Sequence, residues 1–218
     1  MARILLVSAD TMTDDQRRVY DRILSGPRKA IVGPLRAALH IPELADRWQQ
    51  LGALLRFGTS ISPRLGELAI LVTARRWNSQ VEWYIHSEAA RKAGLSDAVI
   101  DAIRDARSPQ LDASAEIAVY EFARELQEIG QVSEDVYGEV QRELGVTGIV
   151  ELTAIIGYYT MVSMTLNAHE IPLPDGSDGS EGPLMPIAEQ NGDESRSFHC
   201  LTHLAPARNT SQCAAGKE

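Results

Sequence analysis

Cysteine is nearly missing from this sequence: there are two in 218 residues, Cys200 and Cys213, both close to the C-terminal end. A disulfide framework is therefore excluded from everything upstream of them. Positive charge is also in deficit, with 21 Lys and Arg against 30 Asp and Glu and a formal net charge of -9. A chain so acidic repels phosphate backbones, so nucleic acid is not an expected partner. No apolar run approaches the roughly 20 residues that span a bilayer. The opening Met1-Ala-Arg-Ile-Leu-Leu-Val7 offers only the short apolar stretch Ile4 to Val7, too little for a secretory leader. No membrane partner is expected, and the cytoplasm is the expected compartment. Strand signals are scarce too, since outside Ile4 to Val7 no stretch alternates apolar and polar residues with β-branched enrichment.

What is present is helical. Hydrophobic residues make up 44% of the chain and charged residues 23%, ordinary globular proportions in a chain long enough to bury a core. Thr13-Asp-Asp-Gln16 reads as a capping box opening a helix to about Leu24, closed by Gly26-Pro27. Gly33-Pro34 keeps the next stretch a loop. Leu44, Trp48, Leu51 and Leu55 share one face of a helix from about Pro42 to Phe57, stopped by Gly58. Ser62-Pro63 is an N-cap with proline at the first helical position, and the helix to Arg76 is apolar nearly all round, as a buried helix is. Further helices are expected at about 79–93 (ended by Gly94), 97–107, 112–129, 133–144 and 148–166. After Pro174 the sequence turns rich in Gly, Ser, Asp and Pro and loses its period. The expectation is an all-α protein: an N-terminal segment with one helix at 1–32, a helical domain at 33–174, and a disordered tail at 175–218.

One pair of residues can carry chemistry. Glu82 and His86 are four apart and so share a helix face. A carboxylate beside an imidazole orients the ring and makes it a proton donor near neutral pH. The same spacing arises on ordinary solvated helix faces, but the neighbouring Trp77, Trp83 and Tyr84 point to a pocket instead. Glu67 sits on the preceding apolar helix, where a carboxylate is costly unless paired. An antiparallel hairpin of the two helices brings it towards His86. As metal ligands the three are a thin set, since the Glu-x-x-His of di-iron bundles is spaced i, i+3, so no metal is expected. In the tail, His199-Cys200-x-x-His203 with Cys213 has superficial zinc-ligand character, at a spacing that matches no standard finger.

The region resembles the carboxymuconolactone decarboxylase-like family, which also contains the alkylhydroperoxidase D-type enzymes. The resemblance rests on Arg64-Leu-Gly-Glu-Leu-Ala-Ile-Leu-Val72, Glu82-Trp-Tyr-Ile-His86, Ala93-Gly-Leu-Ser96, Gly157-Tyr-Tyr-Thr-Met-Val162 and Leu166-Asn-Ala-His-Glu-Ile-Pro-Leu-Pro174, most of residues 33–174. It implies an alkylhydroperoxidase D-like helical bundle. The peroxidase branch carries a glutamate, a Cys-x-x-Cys pair and a histidine four residues further on. Glu67 and His86 match the glutamate and the histidine, while Ser79 and Glu82 stand where the cysteines would be. A dithiol relay needs two thiols, so a thiol peroxidase is not expected.

By this resemblance the chain is a cofactor-independent acid–base enzyme of the decarboxylase type, a carboxy-lyase. It would act on a small carboxylated lactone or a related intermediate of aromatic-compound catabolism. There the substrate is its own electron sink, so no cofactor is needed. His86 is the candidate proton donor, Glu82 would orient it, and Glu67 would tune its charge or place a water. Arg75 and Arg76 could grip substrate carboxylates through their planar forks, the competing role being surface or interface ion pairs. Ser79, Trp83, Tyr84, His40 and Tyr158 are further candidates for the pocket wall. Loop and core packing compete with that role for His40 and Tyr158, and His169 reads as a C-terminal helix cap. The family implies a homo-oligomer, a trimer or hexamer. Isomerisation or hydration on the same scaffold, or a non-catalytic oligomeric binding role, are the alternatives.

Overall fold

Cap residues and glycines divide the chain into eight helices and no strand among the described residues (2–31, 33–174, 182–185 and 187) of the computed structural model. The first is α1 (Asp14–Ser25), whose Thr13–Gln16 capping box is formed in both directions. Next comes α2 (Pro34–Ala38), five residues long, in the stretch expected to be a loop. Pro34 is the reason: its fixed φ suits the first helical position, so the signal that ends one element starts the next. Then follow α3 (Pro42–Phe57), α4 (Pro63–Arg76), α5 (Gln80–Lys92) and α6 (Asp97–Arg104). The sequence reading carried α6 on to 107; it stops at Arg104, and Ala106 turns the chain with φ 53°. Last are α7 (Ser114–Glu128) and α8 (Glu134–Ala168). The two helices expected at 133–144 and 148–166 form this one run, broken at Gly145 by φ 66° and ψ -179°, a conformation open in practice to glycine alone.

The core is built around α4, in which every residue from Leu68 to Arg75 is buried. It packs against α5, α7 and α8. Leu68, Leu71 and Leu152 are fully covered, and each contributes about 1.5–3 kcal/mol of transfer free energy. By length and composition α8 reaches the range of a membrane-crossing helix, but half of its apolar window is buried inside the fold, as in a core helix.

The turn between α4 and α5 positions the candidate residues. Ser79 starts α5, and Asn78 makes the reversal at φ 46°, which a short amide side chain tolerates better than most. Counting outward from Trp77, Glu67 and His86 stand at nearly equal distances along the two antiparallel helices, and so face each other. The N-terminal residues are strapped down by the Arg3 amide donating to the His169 carbonyl at 2.8 Å and by the His40 ring on the Leu5 carbonyl at 2.7 Å. Most of the expected tail, including His199, Cys200, His203 and Cys213, lies outside the described residues. Residues 182–185 are described and lie against α5 and α6. There the Gln80 amide pairs with both the Gly182 carbonyl (3.2 Å) and the Leu184 amide (2.7 Å), and the Leu184 side chain is buried.

Candidate active site

The α4–α5 hairpin brings three titratable side chains into one row. His86 Nδ1 shares a 2.6 Å hydrogen bond with Glu67 Oε2 from the facing helix. On the other side of the ring, His86 Nε2 lies 3.4 Å from Glu82 Oε2, one turn back on α5. That second contact is close but unaligned, and Glu82 Oε2 has no hydrogen-bond partner among the described residues. The side chains are 12%, 3% and 5% exposed for Glu67, His86 and Glu82, so the row runs from the surface inward. Burial pushes the Glu82 carboxyl well above the ordinary carboxylate range, against the opposing pull of His86, Arg56 and Arg28. Glu82 is thus a carboxyl that tends to keep its proton.

Two tyrosines of α8 close the inner side. The Tyr159 ring meets His86 edge-on at 4.9 Å, and Tyr158 meets Tyr159 edge-on at 5.3 Å. Burial raises the pKa of both phenols, so both remain neutral donors. On the outer side a cavity of about 430 Å³ opens between the end of α3 and the start of α4. Its wall includes Arg56, Phe57, Ser62, Gly66, Glu67 and Ile155. Of the three residues in the row, Glu67 alone lines it.

A second cluster adjoins the row. Arg28, in the loop after α1, donates from Nη2 to the Tyr158 hydroxyl at 3.0 Å. Its Nε is buried and has no partner among the described residues. The Trp48 indole N–H is close enough to Tyr158 to temper the rise in its pKa, but the two are not aligned for a hydrogen bond. Arg28 and Tyr158 converge over Gly52 of α3, where a methyl group would collide with the Tyr158 hydroxyl and the Arg28 guanidinium.

Thus the structure groups Glu67, Glu82 and His86, with Tyr158 at their edge. The other sequence candidates lie apart. Arg75 and Arg76 line a separate cavity of about 130 Å³ with residues of α6 and α7. The Arg75 Nε donates to the Arg104 carbonyl at 2.6 Å, and the Arg76 Nε to that of Gln127 at 3.2 Å. The reason is helical rise: Arg75 is eight residues beyond Glu67 on one straight helix, about 12 Å away. Ser79 is the fully buried residue preceding α5, with its hydroxyl unpaired among the described residues. Trp83 is core, Tyr84 is half-buried and lines neither cavity, and His40 is exposed at the N-terminal strap. Sequence reasoning missed Arg28, Trp48 and Arg56, which come from the N-terminal third. The available signal was Gly52 inside the apolar pattern of α3, since a glycine there usually marks a close approach.

Comparison with known proteins agrees with this architecture. The carboxymuconolactone decarboxylase family matches residues 42–125. The fold resembles an uncharacterized peroxidase-related protein with an alkylhydroperoxidase AhpD core from Ralstonia eutropha JMP134, with TM-score 0.65 and 16% identity over 80% of this chain and 93% of that one. An uncharacterized peroxidase-related protein from Silicibacter sp. TM1040 aligns with TM-score 0.65 and 14% identity over 80% and 92%. The debrominase Bmp8 aligns with TM-score 0.57 and 14% identity over 74% and 86%. No curated protein matches the sequence.

Proposed function

We propose that this chain, which matches the carboxymuconolactone decarboxylase family over residues 42–125, is an acid–base carboxy-lyase working without a cofactor on a small carboxylated lactone or related ring-derived metabolite. The observation that carries this reading is the buried row Glu67–His86–Glu82 with one end on a cavity. That two structural neighbours are described as peroxidase-related does not transfer a redox role, because a dithiol relay needs two cysteines and positions 79 and 82 are serine and glutamate here.

In the proposed reaction the bond between the substrate carboxylate carbon and the ring breaks and CO2 leaves. The electron pair passes into the conjugated lactone as a dienolate, and a proton is then delivered to carbon. Glu67, as the member of the row on the cavity wall, delivers that proton. His86 returns one to Glu67 through the 2.6 Å hydrogen bond, Glu82 orients the ring from the other side, and the proton consumed in each turnover is restored from solvent through the cavity that Glu67 lines. This shifts the delivering role from His86, which the sequence suggested, to Glu67. A homo-oligomer belongs to the same reading. Leu54 and Phe57 of α3 and Val150 and Met164 of α8 are each at least half exposed, an apolar surface suited to a second copy of the chain. The test is incubation with carboxymuconolactone, measuring CO2 and the enol-lactone product. Formation of both supports the reading; neither forming at enzyme-like rates would sink it.

A further inference from the structure

The Trp48 and Tyr158 rings belong to the core, but the polar atoms they share with Arg28 are not accounted for by proton transfer or by packing. All three present donors. The cluster holds the Arg28 Nε–H and Trp48 Nε1–H, both without a partner among the described residues, together with the Tyr158 O–H, whose oxygen already accepts from Arg28. Buried polar groups are normally paired, and leaving one unmade costs about 1–3 kcal/mol. Arg28 also has no carboxylate within ion-pair distance among the described residues. Gly52 lets Arg28 and Tyr158 pack directly on the α3 backbone. A surplus of donors around one uncompensated guanidinium is the pattern of an anion receptor.

We propose that Arg28 and Tyr158, packed over Gly52, form with Trp48 the subsite that takes a carboxylate group of the ligand, beside the Glu67–His86–Glu82 row. One guanidinium neutralises one negative charge, which suits a carboxylate and leaves a phosphate dianion half compensated. The placement rests on the acid–base reading for its catalytic purpose, although binding itself needs no turnover. Arg28 and Tyr158 lie outside residues 42–125, the stretch that matches the family, while Trp48 lies within it. Binding also has a consequence for the row. Arg28 favours the ionised form of Glu82, and a carboxylate docked on Arg28 would cancel that influence and leave Glu82 more firmly protonated.

The experiment is a titration of the full chain with benzoate, and separately with its neutral counterpart benzamide, followed by 1H–15N NMR. Through-bond assignment identifies the Arg28 Nε–H and Trp48 Nε1–H signals without a variant. Both are expected to shift with benzoate and to stay in place with benzamide. The benzoate Kd, by calorimetry, is expected to weaken about tenfold in R28Q, with R28K recovering part of the loss. Unmoved N–H signals under saturating benzoate, or an equal Kd in folded wild type and R28Q, overturn the subsite. The two readings fail separately. If H86Q stops CO2 release but benzoate ignores Arg28, only the subsite falls. If benzoate binds through Arg28 while H86Q leaves CO2 release intact, only the acid–base role falls.

Discussion

Glu82 carries the most informative perturbation at the scale of single residues. Its carboxyl has a raised pKa because it is buried, and its Oε2 lacks a partner. With the folded value above the unfolded one, the folded state holds more protons in between. The stabilising effect of neutral Glu82 is therefore complete below the unfolded carboxylate range and is lost as pH rises through the folded pKa. E82Q removes that dependence. Melting curves should show it more stable than wild type at pH 8, by about 1–3 kcal/mol, with the gap closing at pH 4.5. A constant gap across pH would contradict a neutral Glu82. Gly52 gives a second expectation. G52A forces a methyl against Tyr158 and Arg28 and should cost about 1–3 kcal/mol in denaturant unfolding. A neutral substitution would show that the cluster has room to spare.

Helices were largely legible in the sequence, and the reasons differ from helix to helix. Thr13, Ser62 and Ser96 start helices where their cap chemistry places them, and each accepts the expected backbone N–H. The hairpin partnership of Glu67 with His86 was readable too, because a short turn fixes the register of two antiparallel helices. The cavity wall was not. It joins the end of α3, the start of α4 and the middle of α8, and no local pattern reports which helices meet at a distance. The arginines show the same limit: Arg75 and Arg76 are near Glu67 in sequence, but Arg56 and Arg28 are the arginines whose charges act on Glu82. At this scale the break in α8 is testable. G145A places a side chain at φ 66° and ψ -179°, and should destabilise by about 1–3 kcal/mol. If G145A is instead stabilising, α8 prefers to run straight and the break is not imposed by packing.

The molecule as a whole leaves two apolar helices with different fates. α4, apolar nearly all round, is buried by the chain itself, as its sequence implies. α8 buries one side and leaves Val146, Val150, Met161 and Met164 outward, alongside the exposed Leu54 and Phe57 of α3. Sedimentation velocity should find an oligomer, and V150E should shift it towards monomer without unfolding it. A monomeric wild type would contradict the proposed assembly. The acid–base account depends most on Glu67, the link between the buried row and the cavity. The most direct measurement is the rate of CO2 release from carboxymuconolactone by the full chain and by E67Q, at equal folded concentration. The account predicts release by wild type and a loss of about 100-fold or more in E67Q. Release at an undiminished rate by folded E67Q would contradict it.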